Sequence, residues 1–410
     1  MSDSGNETLR LAIAGMGLRG ASMVGGILAG PFGIEIVGLA DKIKARAELT
    51  RDHYGLSVPC FDDTAECLDQ TQPDALAVYT PDVFHEEPAV AALERSIHVY
   101  CEKPMATTLA ACDRMIAAAK GSKAVFYMGH NMRMSPLYEA IHEVIAGGEL
   151  GELLTLETSE YYYGGRTYFR RWNRLISVGG GLWVTKSVHD FDMMGWLMGS
   201  EPESVYAVGG RKVFRPKAGA GERCRDCGLR WDCDDYQPPR GLLVGDPNSD
   251  KQVRFWEQWQ RLGAEEGYLP NDACLYRSDI ETLEYGAATV RFADGACATH
   301  TLNVVTSPQL SERWLTAHGS KGCLRADPMT QTVHVSYRAA RPSRTYDVAP
   351  LARGGHGGAD DRALADFVRA CTRGAEPVAG WRDGRRGVAM GLAAQRSMEE
   401  GIVVPVEQGS

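Results

Sequence analysis

The chain has 410 residues, 44% of them apolar and 24% charged, with a formal net charge of -9. This length predicts two domains, and the acidic balance argues against a nucleic-acid partner, which would need a basic face. The absence of a long uncharged apolar run, the polar start of the sequence and 11 scattered cysteines predict a cytoplasmic protein without a membrane partner.

Up to about residue 150, short apolar runs alternate with amphipathic stretches of helix length. This alternation predicts strand-helix units and a parallel sheet, hence an α/β fold. The predicted strands are residues 9–15, 34–40, 75–80, 98–101 and 124–129. Residues 86–95 and 109–120 have apolar side chains at helical spacing.

The second half is rich in alternating apolar and polar residues, which predicts a mainly antiparallel sheet able to carry a substrate on one face. Its predicted strands are residues 153–163, 204–213, 282–292 and 296–304. An apolar helix is predicted at 190–197, with loops at 216–222 and 241–251. Two helices, at 360–372 and 383–400, close the chain, and Gly401 is the predicted cap of the second.

A glycine-rich turn, Gly15-Met16-Gly17-Leu18-Arg19-Gly20, lies between the first strand and the first helix. In a dinucleotide site, the three glycines allow a tight turn, close approach of the backbone to the pyrophosphate, and helix-strand contact. Asp41 ends the next strand, where it would bind the ribose hydroxyls and favour NAD over NADP. Lys42 and Arg46 lie close enough to weaken that preference. The alternative is a glycine-rich turn without a ligand.

Together with this turn, four segments resemble the glucose-fructose oxidoreductase/inositol dehydrogenase family (Gfo/Idh/MocA). They are Thr80-Pro81-Asp82 with His85, Glu102-Lys103-Pro104, Gly179-Gly180-Gly181 with His189, Asp190 and Asp192, and His356-Gly357-Gly358 with Asp360. The resemblance implies a Rossmann domain at 1–150 and an open-sheet α/β domain at 151–410, assembled as a homodimer or homotetramer. It implies cofactor contacts from Thr80, Pro81, His85, Glu102 and Lys103.

The same resemblance implies an NAD(P)-dependent dehydrogenase that acts on a secondary alcohol of a sugar, sugar acid or cyclitol. One subgroup of the family is similar over residues 161–196, where a Tyr-Phe-Arg-Arg-Trp block at 168–172 precedes the three glycines. Many inositol-dehydrogenase-like members have Asp four positions before the family's histidine, where this chain has Thr185. The sugar specificity of those members is therefore not carried over.

Oxidation of an alcohol requires an acid/base at the oxygen while the hydride leaves. Lys103 follows a parallel strand at the edge where such sheets bind ligands, although it could simply pair with Glu102 at the surface. His189 matches the family's catalytic histidine; the alternative is a core or capping residue. Lys186 could bind a substrate carboxylate or share the acid/base work, or form an ion pair with Asp190 or Asp192.

Residues Tyr168, Arg170 and Trp172 are predicted to face the substrate, because aromatic rings stack on sugars and guanidinium groups donate to hydroxyls. Thr185, Lys186 and His189 complete the predicted substrate site.

Four cysteines, Cys224, Cys227, Cys233 and Cys274, lie in or next to an insertion at about 216–275. Four thiolates suit a closed structural zinc site, and the alternative is a set of reduced free thiols.

Two other functions compete with the dehydrogenase. One is an NAD-dependent glycoside-cleaving enzyme, which would use transient oxidation and elimination. The other is a nucleotide-sensing regulatory protein, against which the presence of both Lys103 and His189 argues.

Overall fold

A computed structural model describes residues 8–237, 250–352 and 355–409. The first sheet has six parallel strands in the order β3-β2-β1-β4-β5-β6, the doubly wound order of dinucleotide-binding domains. Its strands are β1 (Leu9–Ala14), β2 (Ile34–Ala40), β3 (Cys60–Phe61), β4 (Ala75–Val78), β5 (His98–Cys101) and β6 (Phe126–Met128). The central strands are buried on both faces, which explains their continuous apolar runs.

Helices lie on both faces of this sheet. They are α1 (Leu18–Ala29), α2 (Lys44–Tyr54), α3 (Thr64–Thr71), α4 (Glu86–Glu94), α5 (Leu109–Lys120) and α6 (Pro136–Ala146). Asp63 and Thr108 cap α3 and α5 through their side chains, which accept hydrogen bonds from backbone N–H groups.

The second sheet has nine strands in the order β14-β13-β12-β11-β7-β10-β9-β8-β15. Among the strand pairs of this second sheet that lie in the described residues, only β7–β10 is parallel. The strands are β7 (Leu153–Tyr161), β8 (Pro202–Gly210), β9 (Tyr285–Phe292), β10 (Cys297–Asn303), β11 (Arg313–Gly319), β12 (Gly322–Asp327), β13 (Thr332–Tyr337), β14 (Arg344–Asp347) and β15 (Val404–Pro405). Burial alternates along β9 and β10, so one face of the sheet is covered and the other is exposed.

The later helices are α7 (Ile176–Gly179), α8 (Leu182–Thr185), α9 (Val188–Met198), α10 (Asp250–Glu265), α11 (Ala359–Arg373) and α12 (Trp381–Glu400). The core of the second domain includes apolar residues of α9 and α12. By contrast, α11 buries Leu364 and Phe367 in the core of the first domain. The sequence predicts that α11 and α12 both belong to the second domain, at 151–410. In the structure, α11 packs in the core of the first domain and α12 contributes to the core of the second. Gly401 ends α12 in the left-handed conformation, as predicted.

The predicted α/β class, the parallel first sheet and the mainly antiparallel second sheet are confirmed. Strands β3 and β11 to β15 and helices α2, α3, α6, α7, α8 and α10 are not among the predicted elements. Most of the loop predicted at 241–251 lies outside the described residues, and its last two residues begin α10. Across the described ranges, no helix is long and apolar enough to cross a bilayer.

Candidate active site

The glycine-rich turn has the shape that a pyrophosphate requires. Gly15 has a φ of +91°, and a Cβ added there would lie 2.6 Å from the Thr80 backbone nitrogen. A Cβ on Gly20 would lie 1.9 Å from the Gly15 carbonyl oxygen. Helix α1 begins at Leu18, so its free N–H groups face the turn. The residues present thus fit a dinucleotide.

Asp41 lies at the end of β2, beside this turn. Its carboxylate accepts hydrogen bonds from the backbone N–H groups of Met16, at 2.6 Å, and Ile43, at 2.8 Å. Burial raises the pKa of Asp41, and these hydrogen bonds together with Arg46 oppose the rise. Lys42 is exposed on the wall of the cleft, whereas Arg46 is buried.

Arg19 and His85 hold other parts of the site in place. Arg19 lies 2.8 Å from Glu102 and 2.7 Å from Asp360, and thus links α1 to α11. The ring nitrogens of His85 lie 2.7 Å from the Pro104 carbonyl oxygen and 2.9 Å from that of Thr80. Thr80 and Pro81 line the cleft next to the turn.

Lys103 lies at the carboxyl edge of the first sheet and reaches the second domain. Its Nζ donates a hydrogen bond of 2.7 Å to the Thr185 carbonyl oxygen. Asp82, which the sequence did not single out as a site residue, is 6% exposed beside Lys103 and Thr185. Burial raises its pKa to about 7, against the effect of Lys103. A carboxyl group therefore stands next to Thr185, although position 185 itself carries a hydroxyl group.

His189 lines the same cleft from the start of α9. Its pKa lies well below the ordinary value, first because of burial and then because of Lys103, Arg313 and Lys186. The ring of the buried His130 lies behind it, with 6.5 Å between the ring centroids. His189 is therefore neutral near pH 7 and is able to accept a proton.

Lys186 is part of a buried charge network. Its Nζ lies 2.9 Å from Glu160 of β7, and Glu160 lies 2.6 Å from Arg313 of β11. Although burial acts against it, Glu160 raises the pKa of Lys186. The suggested ion pairs of Lys186 with Asp190 or Asp192 are wrong, because Arg313 lies 3.3 Å from Asp190 while Asp192 binds Arg133.

The predicted substrate residues divide between the cleft and the protein interior. Tyr168, Trp172, Thr185, Lys186 and His189 line the cleft. The prediction for Arg170 is wrong: its guanidinium is buried and donates to the carbonyl oxygens of Ala273 and Asp235.

Arg171 lines the cleft in place of Arg170. Neighbouring residues at the end of a 3-10 helix point in different directions, so one of two adjacent arginines can face the substrate while the other faces away.

The four cysteines line one small cavity, where Arg170 Nη1 lies 3.5 Å from Cys224 Sγ. Backbone N–H groups of Gly221 and Tyr276 donate to Cys227 and Cys274, each at 3.4 Å. Among the described residues, no group of three or more His, Cys, Asp or Glu side chains is arranged to hold a metal ion. The geometry therefore gives the predicted zinc site no support.

Besides Asp82, the sequence did not reveal Glu160 and Arg313 as members of the site, although both line the cleft. An acidic residue in an alternating strand usually indicates an exposed face, and no local pattern distinguishes Glu160 from its neighbours. Their burial could have been inferred only from the long-range pairing of β7 with β11.

The fold and the cleft define the class of protein, an NAD-dependent oxidoreductase. Residues 9–130 match the model described as "Oxidoreductase family, NAD-binding Rossmann fold", and residues 142–406 match the family's C-terminal alpha/beta domain. The chain therefore belongs to the Gfo/Idh/MocA oxidoreductase family.

Two curated relatives are similar in sequence. The YteT protein of Bacillus subtilis is 28% identical over 394 residues, which are 89% of this chain and 90% of that protein. Inositol 2-dehydrogenase of Salmonella typhimurium is 26% identical over 211 residues, 51% of this chain and 59% of that enzyme.

Among solved structures, levoglucosan dehydrogenase in complex with NADH and levoglucosan has a TM-score of 0.74 and 18% identity. The match covers 98% of this chain and 100% of that one. At this identity, the likeness supports the shared fold.

Proposed function

We propose that the protein is an NAD-dependent dehydrogenase for a secondary alcohol of a sugar, sugar acid or cyclitol. The observation that carries the proposal is one cleft lined by both the dinucleotide turn and the side chains of Lys103 and His189. The names of the relatives agree with this substrate class, because they include inositol 2-dehydrogenases and a levoglucosan dehydrogenase.

A bound nicotinamide would accept or return the hydride. We assign to Lys103 the task of holding and polarising the substrate oxygen, since an ammonium group has three hydrogens and, in the described part of the chain, one of them is donated to the Thr185 carbonyl oxygen. His189 would take the hydroxyl proton, because its lowered pKa keeps the imidazole neutral.

Lys186 has a different role in this proposal. Its raised pKa and its contact with Glu160 oppose release of a proton, so it would remain a cation that orients substrate beside His189. Because Glu160 balances its charge, Arg171 is the better partner for a substrate carboxylate. Tyr168 and Trp172 would contribute aromatic faces to the sugar.

The experiment is a screen of cyclitols, neutral sugars and sugar acids at alkaline pH, with NAD and NADP, following the absorbance of reduced cofactor. We expect NADH formation with at least one of them, and a severe loss of turnover in Lys103→Met with NAD affinity retained. Sugar release from a glycoside without net NADH would instead support the glycoside-cleaving alternative. No activity with any member of the three classes would contradict the substrate assignment.

Several finer features belong to the same proposal. We expect preference for NAD over NADP, a cytoplasmic location, and a homodimer or homotetramer formed through the exposed face of the second sheet.

A structural zinc ion at the four cysteines is supported only by the presence of four thiol ligands. Elemental analysis of protein purified without added metal tests this proposal. About one zinc per chain would support the site, and zinc-free protein with four titratable thiols would remove it.

A further inference from the structure

Helix α10 belongs in sequence to the insertion of the second domain, yet it packs on the first domain. Phe255 and Trp256 are buried with Ala21 of α1 in a separate small apolar cluster. Gly263 of α10 approaches α2 closely, since a Cβ added there would lie 1.8 Å from Arg46 Nη2. The helix is thus held against α1, which follows the glycine-rich turn, and against α2, which follows Asp41.

Trp259, on the same helix, bonds directly to this turn. Its indole Nε1 donates a hydrogen bond of 2.8 Å to the Met16 carbonyl oxygen. The Arg46 guanidinium lies 4.0 Å from the centre of the Trp259 ring and 5.0 Å from that of Tyr268. Both distances fall within the range of cation-aromatic attraction, so the three side chains form one connected wall.

Next to this wall is a polar group without a partner. The Gln260 side-chain nitrogen Nε2 is buried and has no hydrogen-bond partner among the described residues. A buried amide donor left unpaired is unfavourable, and a ligand that accepts its hydrogen bond removes this cost. Gln260 lines the same cleft as Gly17 and Asp41.

We infer that Trp259, Gln260 and Tyr268 form the outer wall of the adenosine pocket, so that the two domains enclose the adenosine end of the cofactor. The aromatic and guanidinium groups offer an apolar and cationic face, and Gln260 offers a donor to ribose or adenine oxygen and nitrogen atoms. The inference rests on the cofactor part of the proposed function and requires no knowledge of the sugar.

A wall supplied by a second domain must slow cofactor release, because the adenosine would leave only after these contacts break. Loss of binding contacts acts mainly on the dissociation rate. We therefore expect Trp259→Leu and Gln260→Met each to raise the dissociation rate of NADH by tenfold or more. Trp231→Ala is the matched control, since that tryptophan is 81% exposed and outside the cleft, and it should stay within twofold of the unaltered protein.

The rate is measured by stopped-flow fluorescence, with excess NAD displacing NADH from the full chain. Circular dichroism and melting curves identify variants that fail to fold, and Gln260→Met carries the test if Trp259→Leu is one of them. Rates within twofold of the unaltered protein in the folded variants would overturn the inference. Because no sugar is present, that result would leave the proposed dehydrogenase reaction untouched, and a failed sugar screen would leave this test valid.

Discussion

The cations around His189 determine how its imidazole behaves. Lys103, Arg313 and Lys186 all act with burial to lower the pKa of His189. Glu160 lies between two of these cations and balances part of their charge. A histidine in such a site is neutral at pH 7 and can accept a proton, whereas Lys186 stays protonated.

The pH profile tests this arrangement. In alcohol oxidation, kcat/KM should fall only as the pH drops below the ordinary histidine value of 6.5, because the pKa of His189 is lowered. His189→Ala should lose about 10²–10⁴-fold in turnover and lose this acid limb. Lys186→Met should keep the limb but move it to higher pH, because one cation that lowers the pKa has gone. The measurement is kcat/KM against pH for the three proteins.

An acid limb that persists in His189→Ala and disappears in Lys186→Met would transfer the acid/base role to Lys186. Solvent isotope effects on the same variants provide a control, since only the proton-exchanging residue should alter them strongly.

Asp41 tests the preference for NAD. Its carboxylate lines the cleft beside the glycine-rich turn, and both of its oxygens accept backbone hydrogen bonds. Asp41→Asn, which removes the charge and keeps the size, should reduce the preference for NAD over NADP by tenfold or more, about 1.4 kcal/mol. Fluorescence titration with both reduced cofactors measures the two Kd values. A tenfold preference for NADP in the unaltered protein would show that Lys42 and Arg46 dominate instead.

At the scale of elements, the 3-10 helix Tyr163–Arg170 ends between two adjacent arginines, Arg170 and Arg171. Arg171→Ala should raise the KM for substrate by about tenfold, because Arg171 lines the cleft. Arg170→Ala should leave KM within twofold and lower the melting temperature, because the buried Ala273 carbonyl oxygen loses its donor at about 1–3 kcal/mol and the partly buried Asp235 carbonyl oxygen loses one as well. Steady-state kinetics and melting curves on both variants measure this. The reverse pattern would contradict the assignment of Arg171.

The sequence predicts best those elements whose apolar pattern and flanking residues all lie within the segment itself. Strand β2 and helix α5 were predicted with their full bounds, since their apolar patterns and flanking residues are contained within each segment. Helix α10 is not predicted, because its apolar residues stand among many charged and polar ones, and its aromatic residues are packed by contacts with α1 and α2, which are distant in sequence.

The site residues also divide into those found in short sequence motifs and those brought together only by long-range pairing. Gly15 and Asp41 occur in a motif whose spacing and strand-helix context indicate a cofactor site, and Lys103 occurs in a tripeptide identified through the family resemblance. Glu160 and Arg313 meet only because β7 and β11 pair across more than a third of the chain. The choice between Arg170 and Arg171 depends on where the 3-10 helix ends, since Arg170 is its last residue and Arg171 lies beyond it in an extended conformation.

In the whole molecule, residues of both domains line the cleft, and the chain returns from the second domain to pack on the first. Helix α11 follows the second sheet in sequence but packs Phe367 against Tyr100 and Tyr127 of the first domain, with ring centroids 5.6 and 5.7 Å apart. Asp360, at the start of that helix, holds Arg19 beside the glycine-rich turn. Unfolding of either domain should therefore disturb the cofactor site.

This coupling predicts how the cofactor changes thermal unfolding. A ligand that binds only the native state at 100 times its Kd stabilises that state by about 2.7 kcal/mol. Because Gly17 and Lys186, from different domains, line one cleft, NAD should move the whole unfolding transition upward by several degrees. Differential scanning calorimetry with NAD, and with NADP at equal concentration as the control, measures the shift, which should be smaller for NADP. Two resolved transitions of which NAD raises only one would show that the domains unfold independently and that the cofactor is held by the first domain alone.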